Sequence, residues 1–293
     1  MPGHVPVLFS DVLQHLQLKP NDNAIDATLG GGGHTRGLLE ATAPNGRVLG
    51  LEADPRTLEQ TKLGLLTFGS RFVPVHGNFS DLELLATRQG FDQVDAILFD
   101  LGLSSIALDD ASRGFSFQRP GPLDMRFDPT TDGLTAADLI STASTEKLIR
   151  LFETLGQESR ARSIATAIVQ RRQQKPIETT TDLADLVERV KPRRSRIHPA
   201  TKVFQALRMA VNDELGVVER ALPQALQLLR PGGRLAVITF HSGEDRLVKT
   251  WSHQAAKVGQ LKLMNKHVIV PTRAEQKSNP RTRSAKLRVI EKK

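Results

Sequence analysis

Four successive glycines, Gly30 to Gly33, follow the apolar run Ala24-Ile-Asp-Ala-Thr-Leu29 and precede a stretch of helical spacing. Glycines at such a turn admit positive φ and let a ligand approach the backbone closely at the carboxyl edge of a sheet. The G-x-G-x-x-G spacing of dinucleotide sites fails, because Thr35 stands at the third glycine position; tight pyrophosphate packing is not signalled. Glu52 lies 20 residues after Gly32, at the end of a second apolar run. A carboxylate there can accept hydrogen bonds from ribose hydroxyls, or be an exposed loop acid. Asp54 suits a helix start before Pro55. Phe79, just past Phe72-Val-Pro-Val-His76, is placed either to pack on an adenine face or to fill core. Asp100 ends the run Val94-Asp-Ala-Ile-Leu-Phe99. An apolar strand ending in an acid signals a site, because burying that charge unpaired is costly. The set favours a nucleoside-bearing cofactor without pyrophosphate. S-adenosylmethionine (SAM), with a ribose, an adenine and an ammonium-bearing tail, fits that description.

These residues need a scaffold that lines up strand ends. Strand-like runs at 24–29, 47–54, 72–76 and 94–100 alternate with helical stretches, which predicts a parallel sheet covered on both faces. The alternation stops near Leu103. Residues 104–133 are turn-rich and 135–190 read as helical, with capped starts at Thr135, Ser144 and Thr181-Asp182. A helix around 200–229, the turn Arg230-Pro-Gly-Gly233 and a strand at 234–240 restore the sheet pattern. The expected organisation is one α/β domain, 1–103 with 201–293, carrying a mostly helical insertion, 104–200.

The chain of 293 residues contains 40 Lys+Arg and 32 Asp+Glu, a formal net charge of +8. The excess is concentrated: residues 150–202 carry +6 and residues 257–293 carry +9, on a body that is otherwise acidic. Two basic segments on an acidic body suit a polyanion such as RNA, or are solvated helical faces and a basic tail. The absence of cysteine excludes disulfides, thiolate metal sites and cysteine nucleophiles. The eight histidines show no ligand-like spacing, so no metal is expected. The start lacks the basic head and long apolar stretch of a signal peptide, and no run reaches the roughly 18 apolar residues of a membrane span. A cytoplasmic protein is expected.

Motifs across nearly the whole chain, His4 to Ile290, carry a resemblance. HVPVL, DATLGGGGHT, LEADP, DLGLSS, RGFSFQRPGPLDMRFD, HPATKVFQALRMAVNDEL, PGGRLAVITFHSGEDRLVK and NPRTRSAKLRVI occur in that order. Together they resemble the family of bacterial 16S ribosomal RNA cytosine-N4 methyltransferases, RsmH or MraW. The resemblance implies a SAM-dependent enzyme with a Rossmann-like class I sheet, an inserted helical domain that recognises substrate, and N4-methylcytidine in the decoding centre of the small ribosomal subunit as product. Carried over by position, the SAM contacts fall on Gly32, Gly33, His34, Glu52, Phe79 and Asp100. Two departures stand out. Glu52 replaces the family's usual Asp, and Ala107 stands where DLGxSSxQ commonly has Gln.

Cytosine C5 becomes nucleophilic only after a thiolate adds to C6, and no thiol exists here. The N4 amine needs position, charge and an acceptor for its proton. Asp100 is the candidate acceptor, and holding the SAM ammonium is its equal alternative. Ser104 and Ser105 are read as turn-formers. His241 could line the substrate pocket, while Glu244 and Arg246 read as an ion pair opening a helix. Arg113, with Phe115 and Phe117, offers stacking or phosphate contact, against core packing of the rings. Arg193, Arg194, Arg196, Arg281 and Arg283 should meet backbone phosphate. The expected partner is 16S ribosomal RNA or the small subunit; a homodimer is allowed. Rival readings are a non-catalytic RNA-binding or ribosome-assembly protein on the same fold, a methyltransferase acting on protein or a small molecule, and an NAD-dependent oxidoreductase.

Overall fold

The computed structural model describes residues 6–193 and 197–293. They cluster into two compact units, one made of residues 6–104 and 215–293 and the other of the described residues within 105–214. Helix α10 below therefore belongs with the second unit, whereas the sequence reading placed everything after residue 200 with the sheet. The reason is packing: α10 lies against α6 and α7 of that unit.

The first unit opens with α1 (Phe9–Leu16), then β1 (Ala24–Asp26), α2 (Gly33–Ala41), β2 (Val48–Glu52), α3 (Pro55–Gly64), β3 (Phe72–His76), α4 (Leu82–Thr87) and β4 (Val94–Asp100). The second unit holds α5 (Ser105–Asp109), α6 (Ala136–Thr142), α7 (Thr145–Thr154), α8 (Ala161–Gln174), α9 (Thr180–Val190) and α10 (Thr201–Val211). The chain then returns through α11 (Glu214–Leu228), β5 (Leu229–Thr239), α12 (Ser242–Lys257), β6 (Leu261–Leu263), α13 (Arg273–Ser278) and β7 (Lys286–Lys292). Among the described residues no helix is long and apolar enough to cross a membrane.

The strands form one sheet in the order β3-β2-β1-β4-β5-β7-β6. Strands β3 to β5 are parallel, and β7 pairs antiparallel with β5 and β6. Side chains of the central strands alternate between two cores. Ile25, Leu49, Leu51, Ile97, Phe99, Leu235 and Val237 face α4, α11 and α12. Ala24, Val48, Ala96, Leu98, Ala236 and Ile238 face α1, α2 and α3. Strands buried on both sides have no polar face, which is why they read as continuous apolar runs. The strand order reverses between β1 and β4. In open α/β sheets ligands settle outside the carboxyl ends at that switch point. The acids that end β1, β2 and β4 are Asp26, Glu52 and Asp100.

The second unit is helical, and polar caps set its starts. Thr135 accepts from the backbone of Asp138, Ser144 from Lys147, and Thr179 from Asp182. The third cap is two residues earlier than Thr181. Leu148, Phe152, Ile164, Ile168, Leu183 and Val187 are buried on the facing sides of α7, α8 and α9.

Candidate functional site at the carboxyl edge of the sheet

Asp26 anchors the glycine turn. It is fully buried and accepts from the Thr28 backbone at 3.1 Å and the Thr35 hydroxyl at 2.7 Å. Burial nonetheless raises its pKa, outweighing those bonds. Thr35, the residue that breaks the dinucleotide fingerprint, thus has a role in fixing the turn. Thr28 Oγ1 accepts the backbone N–H of Asp100 at 2.6 Å, tying the end of β4 to the turn after β1. The sequence reading passed over Asp26. Its signal was a carboxylate inside an apolar strand.

Gly32 has φ +75°, and a Cβ there would lie 2.7 Å from Thr61 Cγ2 and 2.9 Å from Leu65 Cδ1. Only glycine suits that place. Gly31 has open space around it, so the turn presents bare backbone. Glu52 reaches into it: one carboxylate oxygen accepts from Gly30 N and the other from Asp54 N, both at 2.9 Å. Burial pushes Glu52 up to about 7. Asp54 caps α3, accepting from Arg56 N and Thr57 Oγ1, as its place before Pro55 suggested.

His34 and Asp100 face each other across the switch point, His34 Nε2 lying 3.6 Å from Asp100 Oδ2. That is too long for a hydrogen bond. Oδ1 of Asp100 is buried without a hydrogen-bond partner, and neither buried ring nitrogen of His34 makes a well-formed hydrogen bond, the backbone of Val7 lying beside the ring. Burial lowers His34 to about 4, and burial with the charges of Asp26 and Glu244 raises Asp100 to about 8. Both groups are therefore neutral near pH 7, and the pair is not an ion pair. Buried polar atoms left unmatched cost about 1–3 kcal/mol each, and such atoms mark a place where a polar ligand belongs. Asp100's side chain keeps 25% of its exposure, so it remains reachable.

Phe79 is half-buried and meets Phe99 edge-on at 5.3 Å, which gives it the core contact of one reading while part of it stays open. His241 caps α12: its Nδ1 accepts from Gly243 N and Glu244 N, and Glu244 accepts in return from Phe240 N. Glu244 is thus a capping residue. Among the described residues the expected Glu244–Arg246 ion pair is not formed; Asp245 instead pairs with Lys286 at 3.1 Å and Arg288 at 2.8 Å.

The phosphate-contact candidates separate. Arg113 is a correction: it is only 4% exposed, donates to the Arg126 and Phe127 carbonyls, and lies 5.7 Å from the Phe115 ring centroid. Phe115 is buried beside Phe127, and Phe117 packs on Phe204 and His198. Arg193, Arg281 and Arg283 are exposed; Arg194 and Arg196 lie outside the described residues. Ala107 is buried on α5.

With turn, acids and unmatched nitrogens clustered at one switch point, comparison with known proteins becomes informative. The model of the MraW methylase family matches residues 1–293. A ribosomal RNA small subunit methyltransferase H from Thermomicrobium roseum is 50% identical, the alignment covering 99% of this chain and 93% of that protein. Its namesake from Geobacter sulfurreducens is 46% identical over 99% of both. Among solved structures, a Clostridium thermocellum protein described as an rRNA-methylase shares the fold with a TM-score of 0.51 at 15% identity, over 99% of this chain and 100% of that one. A Streptococcus mutans protein described as a methyltransferase, solved in complex with SAH, has a TM-score of 0.50 at 14% identity, over the same shares.

Proposed function

Because the chain belongs to the MraW methylase family, we propose that it is a SAM-dependent methyltransferase acting on the exocyclic N4 of a cytidine in the decoding centre of 16S ribosomal RNA. The observation that carries this reading is Asp100. It is an acid with an unpartnered buried oxygen, at the end of a central strand, beside a glycine turn built for close backbone approach. The relatives named for the small ribosomal subunit support the substrate class.

The residues present fit SAM. The turn Gly30–Gly33 leaves room for it, and the unmatched nitrogens of His34 offer it a polar partner. Glu52 keeps lone pairs for sugar hydroxyls after its two backbone bonds, and Phe79 offers ring surface to an adenine. When bound, SAM supplies an electrophilic methyl group on a sulfonium centre. The chain's own contribution is position, dryness and proton acceptance. The N4 amine sheds one proton as it is methylated, and Asp100 is placed to accept it. A carboxyl held near 8 is a much stronger proton acceptor, once ionised, than one near 4. A positive charge bound beside it favours the ionised form. Methylation at C5 lacks its thiolate, since the chain contains no cysteine. Arg193, Arg281 and Arg283 supply phosphate contacts, which give affinity without base choice.

The test is direct. Purified protein is incubated with methyl-labelled SAM and unmodified 16S RNA or small subunits, and the digested nucleosides are read by mass spectrometry. N4-methylcytidine is the expected product. Label in 5-methylcytidine, or none, overturns the reading.

A further inference from the structure

The wall of the glycine turn is not made by the sheet alone. A Cβ on Gly33 would collide with the ring of Pro6, and one on Gly37 would lie 2.7 Å from the Phe9 ring. Phe9 also stands over the His34 ring, with centroids 6.0 Å apart. Residues 6–9 therefore close one side of the turn and cover His34, with the backbone of Val7 beside its ring.

What holds those residues in place comes from the other end of the chain. Leu8 precedes α1 in the left-handed region (φ 53°, ψ 32°) and offers no side-chain cap. Its backbone N–H instead donates to Glu275 Oε1 at 2.8 Å, across 267 positions of sequence. At the far end of α1, Arg234 Nη1 donates to the carbonyl of His15 at 2.7 Å and is itself paired with Glu291. The helix is thus pinned at both ends, while Val12 and Leu16 are buried in the core beneath. Arg234 and Glu291 sit on paired central strands. Glu275 sits on α13, a short helix that carries Arg273 and Lys277 and is followed by Arg281 and Arg283.

We infer that Glu275 is a positioning residue for the donor site: its carboxylate straps Pro6–Phe9 onto the glycine turn, so that His34 and the turn backbone are ordered before SAM arrives. The inference rests on the proposed SAM site. It does not require Glu275 to touch the ligand. A group that preorganises a wall saves binding free energy that would otherwise be spent on ordering it. The strap needs a hydrogen-bond acceptor, not a charge, because the Leu8 amide is neutral.

Glu275→Ala and Glu275→Gln separate these roles, since a glutamine carbonyl oxygen can accept the same N–H. Amide exchange of residues 6–16 is measured in ligand-free protein, and SAM affinity by calorimetry. In Glu275→Ala, exchange at 8–12 quickens about tenfold and the SAM dissociation constant rises about tenfold, the weight of one ordinary hydrogen bond. In Glu275→Gln both stay within about twofold of wild type. Wild-type exchange and affinity in Glu275→Ala overturn the assignment, as does equal loss in both variants, which would mean that charge rather than the acceptor matters. If wild type binds no SAM, the functional reading fails. The strap is then judged by the exchange difference, which needs no ligand.

Discussion

The carboxylate of Glu52 accepts the backbone N–H of Gly30 at 2.9 Å, bolting the end of β2 to the turn that follows β1. The same side chain accepts Asp54 N, so a single acid sets both the glycine turn and the start of α3. A shorter aspartate would have to draw those strand ends closer to make both bonds. The extra methylene of Glu52 is therefore part of how this turn is built.

Replacing Glu52 should weaken SAM binding in steps. Glu52→Gln turns one acceptor into an amide NH2 facing a backbone N–H, and Glu52→Ala removes both acceptors. Dissociation constants should rise about tenfold and about a hundredfold respectively, as expected for losing one or two such bonds. Calorimetric titration measures this. Unchanged affinity in the alanine variant would show that Glu52 serves the fold alone.

Asp100→Asn is nearly isosteric and removes the proposed proton acceptor. Turnover should fall at least a hundredfold, within the range of general-base removal, with the melting temperature preserved or raised. In wild type, kcat/KM for SAM should climb with pH through about 8 as the carboxyl of the ligand-free enzyme ionises. Steady-state rates on unmodified RNA across pH 6–9 test both statements. If SAM affinity drops as far as turnover, Asp100 holds the ammonium instead of taking the N4 proton.

Stability should fall as pH rises from 6.5 to 8.5. Glu52 and Asp100 titrate near 7 and 8 when folded, against 4.5 and 3.8 as reference values. The folded chain therefore holds more protons than the unfolded one until pH passes those folded values, and loses stability on the way up. His34 works in the opposite sense, but only between about 4 and 6.5. Above that window the acids dominate, and the expected loss is on the order of 2 kcal/mol, or about 5 °C. Thermal melts of ligand-free protein should show it, and Asp100→Asn should flatten the slope. A melting temperature that climbs over this interval would contradict the raised carboxyl values.

The parallel strands and two of their terminal acids, Glu52 and Asp100, were legible because burial on both faces leaves uninterrupted apolar runs, each ending where the chain leaves the core. β7 was not, since Lys286-Leu-Arg-Val-Ile-Glu-Lys292 interleaves charge with buried Leu287, Val289 and Ile290. Its charges are used locally: Lys286 and Arg288 pair with Asp245. Asp26 escaped notice because nothing in composition announces that a strand acid will be satisfied by threonines from its own turn. For Arg113, Phe115 and Phe117 in RGFSFQRPGPLDMRFD, RNA contact and core packing of the rings were both open, and the structure takes the second: Cβ atoms on Gly114 or Gly121 would collide with backbone, and Met125 is fully buried at φ 65°. Asn212 staples that segment, accepting from Phe127 N and donating to the Met125 carbonyl. Arginines and phenylalanines serve a tight interior turn as readily as a nucleic acid.

That distinction separates Arg113 from the exposed arginines experimentally. Arg113→Ala leaves the Arg126 and Phe127 carbonyls without their guanidinium donor and opens space beside Phe115. It should cost about 2–4 kcal/mol of stability, the range for breaking a buried hydrogen-bond network. Below its melting temperature, that variant should bind RNA with an unchanged salt slope. Arg281→Ala combined with Arg283→Ala removes two exposed side chains either side of the buried Thr282 and should leave the melting temperature within about 4 °C, as surface changes usually do. It should weaken RNA binding at low salt, with the slope of log K against log salt shrinking by about 0.7 per lost phosphate contact to a single strand. Fluorescence anisotropy on a ribosomal RNA fragment between 50 and 300 mM salt reads both quantities. A shallower slope in Arg113→Ala, or none in the double variant, would exchange the roles assigned to buried and exposed arginine.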